Sequence, residues 1–455
     1  MSNKWLITIV LVLGFFSRFL FFGHPNQTVF DEVHFGKFVS AYYTHQYYFD
    51  IHPPLGKLII AGVGKVFGFT PEYKFETIGE KFQDNKYMAL RFLPSLAGAL
   101  LPLVIFLLAL QVGLSRRASL LAGLFVVFEN SLAVQSRFVF LDPFLILFGF
   151  TGLLFYFLFT KKNNFAYLIL SGIFCSLSFS IKWTGLTFVS VIGVMEIIRV
   201  INQQKDGYEF KKVLTWFGQN ILAIVIIPML IYFSVFAIHF SLLTKSGTGD
   251  AFMSQSFQSD LSDNPNENDA MIPKLSLAGK FMELNAQMFK SNQTLTATHS
   301  YSSQWFTWPF MIRPVYYWVS DNARLYFIGN PLIWWLSTVA VIILLLRNIQ
   351  FIISRDYRIK FNINKIELFL LGAYLINFLP FILIGRVMFL YHYMIALIFS
   401  ILVLAYILDR DISRKTIVVI MALSIGLFVY FSPLTYGLPL GQSQYENRVW
   451  LSSWQ

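Results

Sequence analysis

Long apolar runs separated by short polar ones set the pattern of this chain. A helix crossing ~30 Å of hydrocarbon needs about 20 mostly apolar residues, and about eleven runs meet that rule. They fall at 5–22, 87–111, 118–135, 141–160, 165–181, 184–200, 215–239, 329–346, 366–384, 388–408 and 415–432. The pattern predicts an all-α integral membrane protein. Five connections are basic: SRRA at 115–118, KKNN at 161–164, RVINQQKDGYEFKK at 199–212, RNIQFIISRDYRIKFNINK at 347–365 and DRDISRK at 409–415. Counting crossings from a cytoplasmic N-terminus puts all five on the cytoplasmic side, as the positive-inside rule requires. An odd number of crossings leaves the C-terminus outside. The first run contains Arg18 and lacks a small-residue cleavage site, so it reads as a retained helix with Lys4 inside.

Two long segments then lie outside, 23–86 and 240–328. No internal repeat is visible, and 1–455 reads as a single membrane domain. Interfacial helices are expected in both outer segments. VFDEVHFGKFVSAYYTHQYYF has apolar residues at helical spacing with polar ones between. HPPLGKLIIAGVGKVFGF reads as a second helix started by Pro53 and Pro54, where a missing N–H costs nothing.

Composition agrees. The chain is 56% hydrophobic and 13% charged, against roughly 25% charged in soluble proteins. The net charge of +11 is spread between apolar runs rather than on one polar face, which argues against nucleic acid. The single cysteine, Cys175, excludes a disulfide framework and a thiolate zinc site. A transporter would show inverted repeats and ionisable groups near mid-membrane. Here the ionisable groups gather at one face.

The candidate chemistry starts at Asp31 and Glu32, just after the first apolar run. Two readings stand. Thr28 and Asp31 have the spacing of a capping box, with Glu32 at the positive end of the helix dipole. Alternatively, one carboxylate takes a proton from a hydroxyl nucleophile. Neighbouring helical residues point ~100° apart, so one acid is the base and the other orients it or binds substrate. Arg91 opens the second run, Arg137 and Asp142 lie in SRFVFLD, Lys182 and Trp183 in IKWTG, and Arg386, His392 and Tyr393 in GRVMFLYHY. Singly, each such residue reads as a snorkelling or capping side chain. Together at one face, they suggest an anion site in the membrane interface. A base beside cations at the lipid edge suits transfer of a group from a lipid phosphate, whose departure Arg and Lys stabilise.

Other features are weaker. His24, His34, His45 and His52 lack the spacing of HExxH, which disfavours a metal. Glu32 with a histidine is the remaining way to hold a divalent cation. Trp305 and Trp308, beside Pro309, either line an acceptor groove or belong to an aromatic belt. GTGDAF at 247–252 reads as a helix start with Asp250 as N-cap.

These residues resemble the protein O-mannosyltransferase family, glycosyltransferase family 39, over nearly the whole chain. FDEVHFGKFVSAYYTHQYYFDIHPPLGKLIIA is similar to its first outer loop, RFLPSLAGALLPL to its second span, and SRFVFLDPFLILF and IKWTGL to its next outer turns. IYFSVFAIHFSLLTKSGTGDAFMSQSFQSDL resembles its entry to the large outer loop, and GRVMFLYHYMIAL its late turn. The resemblance implies a GT-C fold, a polyprenyl-phosphate mannose donor, a secreted or membrane protein with Ser or Thr as acceptor, and an inverting reaction. No further cofactor is implied. It makes Asp31 the catalytic base and Glu32 its neighbour. It gives the donor-phosphate site to Arg91, Arg137, Lys182, Arg386 and His392, with Tyr393 and with His52 and Lys57 of the HPPL.K element. Residues 240–328 are too few for the β-trefoil MIR domain of eukaryotic members. That matches the prokaryotic branch, with a plasma-membrane enzyme working on the outer face. It leaves a lipid or glycan acceptor as the alternative.

Overall fold

The computed structural model describes residues 3–205, 210–267, 269, 271–294, 298–353 and 364–455. The basic connections 199–212 and 347–365 lie partly outside these. The helices run α1 Asn3–Phe19, α2 Glu32–Thr44, α3 Leu55–Val66, α4 Tyr87–Val112, α5 Arg116–Val127, α6 Asn130–Gln135, α7 Asp142–Lys162, α8 Phe165–Phe179 and α9 Leu186–Lys205. There follow α10 Phe210–Asn220, α11 Ile227–Leu242, α12 Gln255–Gln258, α13 Leu277–Thr294, α14 Pro331–Ile353, α15 Lys365–Phe378, α16 Met394–Asp411, α17 Arg414–Tyr436 and α18 Gln442–Glu446.

Among the described residues, eight helices are long and apolar enough to cross a membrane: 87–112, 142–162, 183–201, 214–242, 331–349, 365–383, 390–411 and 414–436. The other three runs expected to span form shorter helices. α1 has 17 residues and α8 has 15. The run 118–135 is not one helix, because it breaks between α5 and α6. Glu129 starts a new helix there by accepting the Leu132 N–H at 2.8 Å. Arg18 takes the Val126 and Val127 carbonyls that the break frees, both at 2.7 Å. Backbone groups freed at membrane depth need such internal partners.

α16 is buried along nearly its whole length and packs on α14, α15 and α5. α7 packs on α4 and α8. α8 meets the π-helical turn Ile221–Ile226 so closely that a Cβ on Gly172 would lie 1.8 Å from the Ala223 carbonyl oxygen. Only glycine permits that approach.

Contacts define two ends. At one, Ser115 and Arg117 bond Asp409, Arg347 pairs with Asp411 at 2.6 Å, and Lys161 reaches the Leu110 carbonyl at 3.2 Å. These belong to four of the five basic connections. At the other end the two long segments come together. α2 and α3 pack on one another, matching the two helices expected in the first segment. The second segment contains α13 and, unforeseen in the sequence, an antiparallel hairpin of β1 Val315–Ser320 and β2 Ala323–Phe327. Its register shifts between Tyr316 and Trp318, so Tyr317 is bulged out of the ladder.

Candidate active site

The chain leaves α1, turns through Phe30 with φ of +41°, and enters α2 at Glu32. The expected Thr28–Asp31 capping box does not form. Thr28 bonds the Tyr73 hydroxyl instead, at 2.8 Å. Glu32 accepts the Val29 N–H at 2.9 Å, but Val29 has no side-chain acceptor to complete a box.

Glu32 is fully buried and its valences are taken. Its Oε1 accepts from Arg91 Nε at 2.8 Å and the Val139 N–H at 2.9 Å. Its Oε2 accepts from Arg91 Nη2 at 2.6 Å and the Val29 N–H. A divalent cation held by Glu32 and a histidine would have to displace these donors. The histidines are also scattered: His24 bonds the Gly437 carbonyl and His45 the Leu242 carbonyl.

Asp31 is the opposite case. It is half-buried, and its carboxylate has no hydrogen-bond or ion-pair partner among the described residues. Burial raises its pKa to about 7, opposed by Lys182 and reinforced by Asp142 and Asp50. A carboxylate titrating there is matched to accepting a proton near neutral pH.

The expected cations divide. Arg91 has no surface exposure and no spare N–H for a phosphate. Beyond Glu32 it bonds the Gly23, Pro25 and Gln27 carbonyls at 3.0, 2.7 and 2.7 Å. Arg137 gives its two terminal nitrogens to the Arg18, Leu20 and Phe21 carbonyls at 2.9, 2.6 and 2.7 Å, where α1 ends. Both arginines clamp irregular backbone behind the acidic pair.

Lys182, His52, Arg386 and His392 lie on the open side. Lys182 Nζ is held by the two Asp142 oxygens at 2.8 and 3.0 Å and faces the Tyr391 ring at 5.7 Å. The imidazole of His52 is held neutral, its pKa pushed well below the usual value by burial and then by Lys182, Lys57, Arg386 and His392. Neither the His52 ring nor the Arg386 guanidinium has a hydrogen-bond partner among the described residues. Lys57 is buried, paired with Asp50, and donates to the His52 carbonyl at 2.9 Å, which fixes the HPPL turn. His392 stacks on Tyr391 at 4.7 Å and bonds the Phe389 backbone through Nδ1.

Three expected substrate contacts take other positions or remain partial. Tyr393 is fully buried and bonds the Tyr374 hydroxyl at 3.1 Å, inside the helix core. Trp308 is fully buried and donates to Ser303 Oγ at 2.9 Å, so it cannot stack on an acceptor. Trp305 remains half-buried against Phe378. Asp250 is no N-cap. It ties a turn by accepting from Ser246 Oγ and the Gly247 N–H. Sequence reasoning missed Tyr391, whose hydroxyl has no partner among the described residues and senses Asp31, Asp142 and Arg386. Its only signal was its place between two residues already singled out.

Residues 8–244 match the family described as dolichyl-phosphate-mannose-protein mannosyltransferase. Residues 277–454 match the C-terminal four-transmembrane region of protein O-mannosyltransferase. The chain belongs to this family. A relative from Candida albicans, dolichyl-phosphate-mannose–protein mannosyltransferase 4, is 36% identical over 270 residues, covering 57% of this chain and 36% of the relative. The match thus spans about a third of the curated relative's length. The Saccharomyces cerevisiae protein O-mannosyltransferase Pmt1–Pmt2 complex bound to the sugar donor superposes with a TM-score of 0.94 at 21% identity, over 100% of this chain and 93% of that one. ArnT from Cupriavidus metallidurans superposes with a TM-score of 0.55 at 14% identity, over 92% of this chain and 61% of that one. The chain therefore has the GT-C fold, in a multi-pass membrane protein.

Proposed function

We propose that this chain moves mannose from a polyprenyl-phosphate mannose to Ser or Thr hydroxyls of secreted or membrane proteins. The observation that carries the reading is Asp31: a half-buried carboxylate with no partner among the described residues, its pKa near 7, under the influence of Lys182. Asp31 accepts the acceptor's hydroxyl proton. The hydroxyl oxygen bonds the anomeric carbon on the face opposite the phosphate. The carbon–oxygen bond to phosphate breaks, and the phosphate leaves with the bonding electrons. The reaction inverts the anomeric centre. Lys182, Arg386, His52 and His392 receive the phosphate, with Tyr391 beside them. Lys57 supports His52, and Glu32, Arg91 and Arg137 support the base. Trp305 borders the acceptor path. A phosphate needs little acid assistance to depart, so one base suffices and no metal is required.

The basic connections support a site on the extracytoplasmic face. The short segment 240–328 supports the prokaryotic type without the MIR domain, at a plasma membrane. The test is transfer of radiolabelled mannose from polyprenyl-phosphate mannose to a Ser/Thr-rich peptide, with purified wild type and Asp31→Asn side by side. Transfer by wild type alone is the expected result. Donor consumption without peptide labelling would move the acceptor to a lipid or glycan. Equal transfer by both proteins would remove Asp31 as the base.

A further inference from the structure

Tyr317 lies far from the acidic pair in sequence yet makes direct contact with Phe30, the residue before it. It is the bulged residue of β1, and the bulge releases its carbonyl from the ladder. That carbonyl accepts the Phe30 N–H at 3.1 Å. The Tyr317 ring stacks on the Phe30 ring with centroids 4.5 Å apart and planes 15° apart. Phe30 has the positive φ that turns the chain into Asp31. A bulky residue rarely adopts that conformation without tertiary support. Tyr317 supplies it from both backbone and ring.

The same side chain reaches the cation. The fully buried Tyr317 hydroxyl donates to Gln135 Oε1. Gln135 Nε2 donates to Asp142 Oδ2 at 2.9 Å, and Asp142 holds Lys182. The bond from Tyr317 fixes which way the Gln135 amide faces. Without it the amide loses the partner that keeps its N–H on Asp142.

We infer that Tyr317 is a positioning residue through which the outer hairpin holds the Asp31 carboxylate and the Lys182 ammonium in one register. This rests on the transfer reaction proposed above. The bulge gives the hairpin a catalytic duty beyond covering the site. Mutual placement of base and cation matters because small displacements of reacting groups cost large factors in rate.

Tyr317→Phe keeps the ring and removes the hydroxyl. The expected result is a kcat reduced about tenfold, with thermal stability close to wild type. Lys182→Ala should then cost less in the Tyr317→Phe background than in wild type, because the relay is already cut. A second readout needs no transfer. Dicyclohexylcarbodiimide modifies protonated carboxyls, and mass spectrometry of the Asp31 peptide gives a labelling midpoint against pH. The charged and titratable groups acting on Asp31 are Lys182, Asp142 and Asp50, with Tyr317 and Tyr391 sensing it in turn. Loosening Lys182 removes the influence that lowers the midpoint, so Tyr317→Phe should move it up. A purely structural role would leave it in place. Gln135→Met cuts the same relay from its other side and serves where Tyr317→Phe is not recovered folded. Wild-type kcat with an unmoved midpoint would overturn the inference. Absence of transfer by wild type would instead overturn the proposed reaction, and the midpoint shift would then decide the relay alone.

Discussion

Behind the start of α2, Glu32, Arg91 and Arg137 form a clamp in which almost every donor and acceptor has a protein partner. In front of it, Asp31, His52, Arg386 and Tyr391 have side-chain groups with no partner among the described residues. Glu32 and Asp31 are neighbours in the chain, yet they fall on opposite sides of this divide. The clamp's arginines take carbonyls from 18, 20, 21, 23, 25 and 27, the irregular stretch where α1 ends. Buried charge is tolerable there only because it is paired. On the open side Lys182 is held by Asp142, but Asp31, His52 and Arg386 keep unspent bonding capacity among the described residues, which is what a site for a phosphate and a hydroxyl requires. Ionisable residues at a membrane face are therefore not one class. Unspent hydrogen-bonding capacity separates working groups from scaffold.

Asp31→Asn should lower kcat by about 10²–10⁴-fold, the range for losing a general base. It should not lower thermal stability. The folded carboxyl titrates near 7 against an ordinary 3.8, so the fold favours its protonated form. That contribution is complete below the ordinary pKa and is lost as pH rises through 7. Asp31→Asn should thus melt at or above wild type at pH 8. A clearly lower melting temperature would place Asp31 with the scaffold.

Arg91→Met should do the reverse. It strands the buried Glu32 carboxylate and three carbonyls, at a cost of roughly 3–5 kcal/mol in stability. Pairing it with Glu32→Leu should recover part of that loss. Arg91→Met protein that melts normally and shows only weakened donor binding would return Arg91 to the phosphate site. Lys182→Ala should raise the donor KM about 10- to 100-fold, from the ~1.5–3 kcal/mol expected for a hydrogen bond to a charged group. A KM shift on the peptide alone would move Lys182 to the acceptor side. The smallest effect is on pH dependence. With Asp31 as base, kcat should halve as pH falls to about 7 and keep falling below it. A profile flat from pH 8 to 6 would assign the base elsewhere.

How far the sequence reached can be judged residue by residue. The helical runs followed from their apolar length, except where Glu129 restarts a helix inside one of them. The acidic pair and the cations were legible as exceptions in an apolar chain. Tyr391 was overlooked because an aromatic residue among aromatics carries no such contrast. Tyr393 and Trp308 were chosen from their neighbours, and the core buried both. The hairpin escaped notice because its two strands are short and rich in aromatics, in a segment read as helical.

The sequence by itself determined that this is a multi-pass helical membrane protein, that it resembles one family along its length, and that its chemistry gathers after Phe30. Only the tertiary structure decided who pairs with whom. Arg91 meets Glu32 across 59 positions, Lys182 meets Asp142 across 40, and Tyr317 meets Gln135 across 182. Periodicity constrains neighbours within a turn or two of helix. Whether a buried charge is paired or free depends on contacts that close only when distant helices pack, and that pairing divides scaffold from site here.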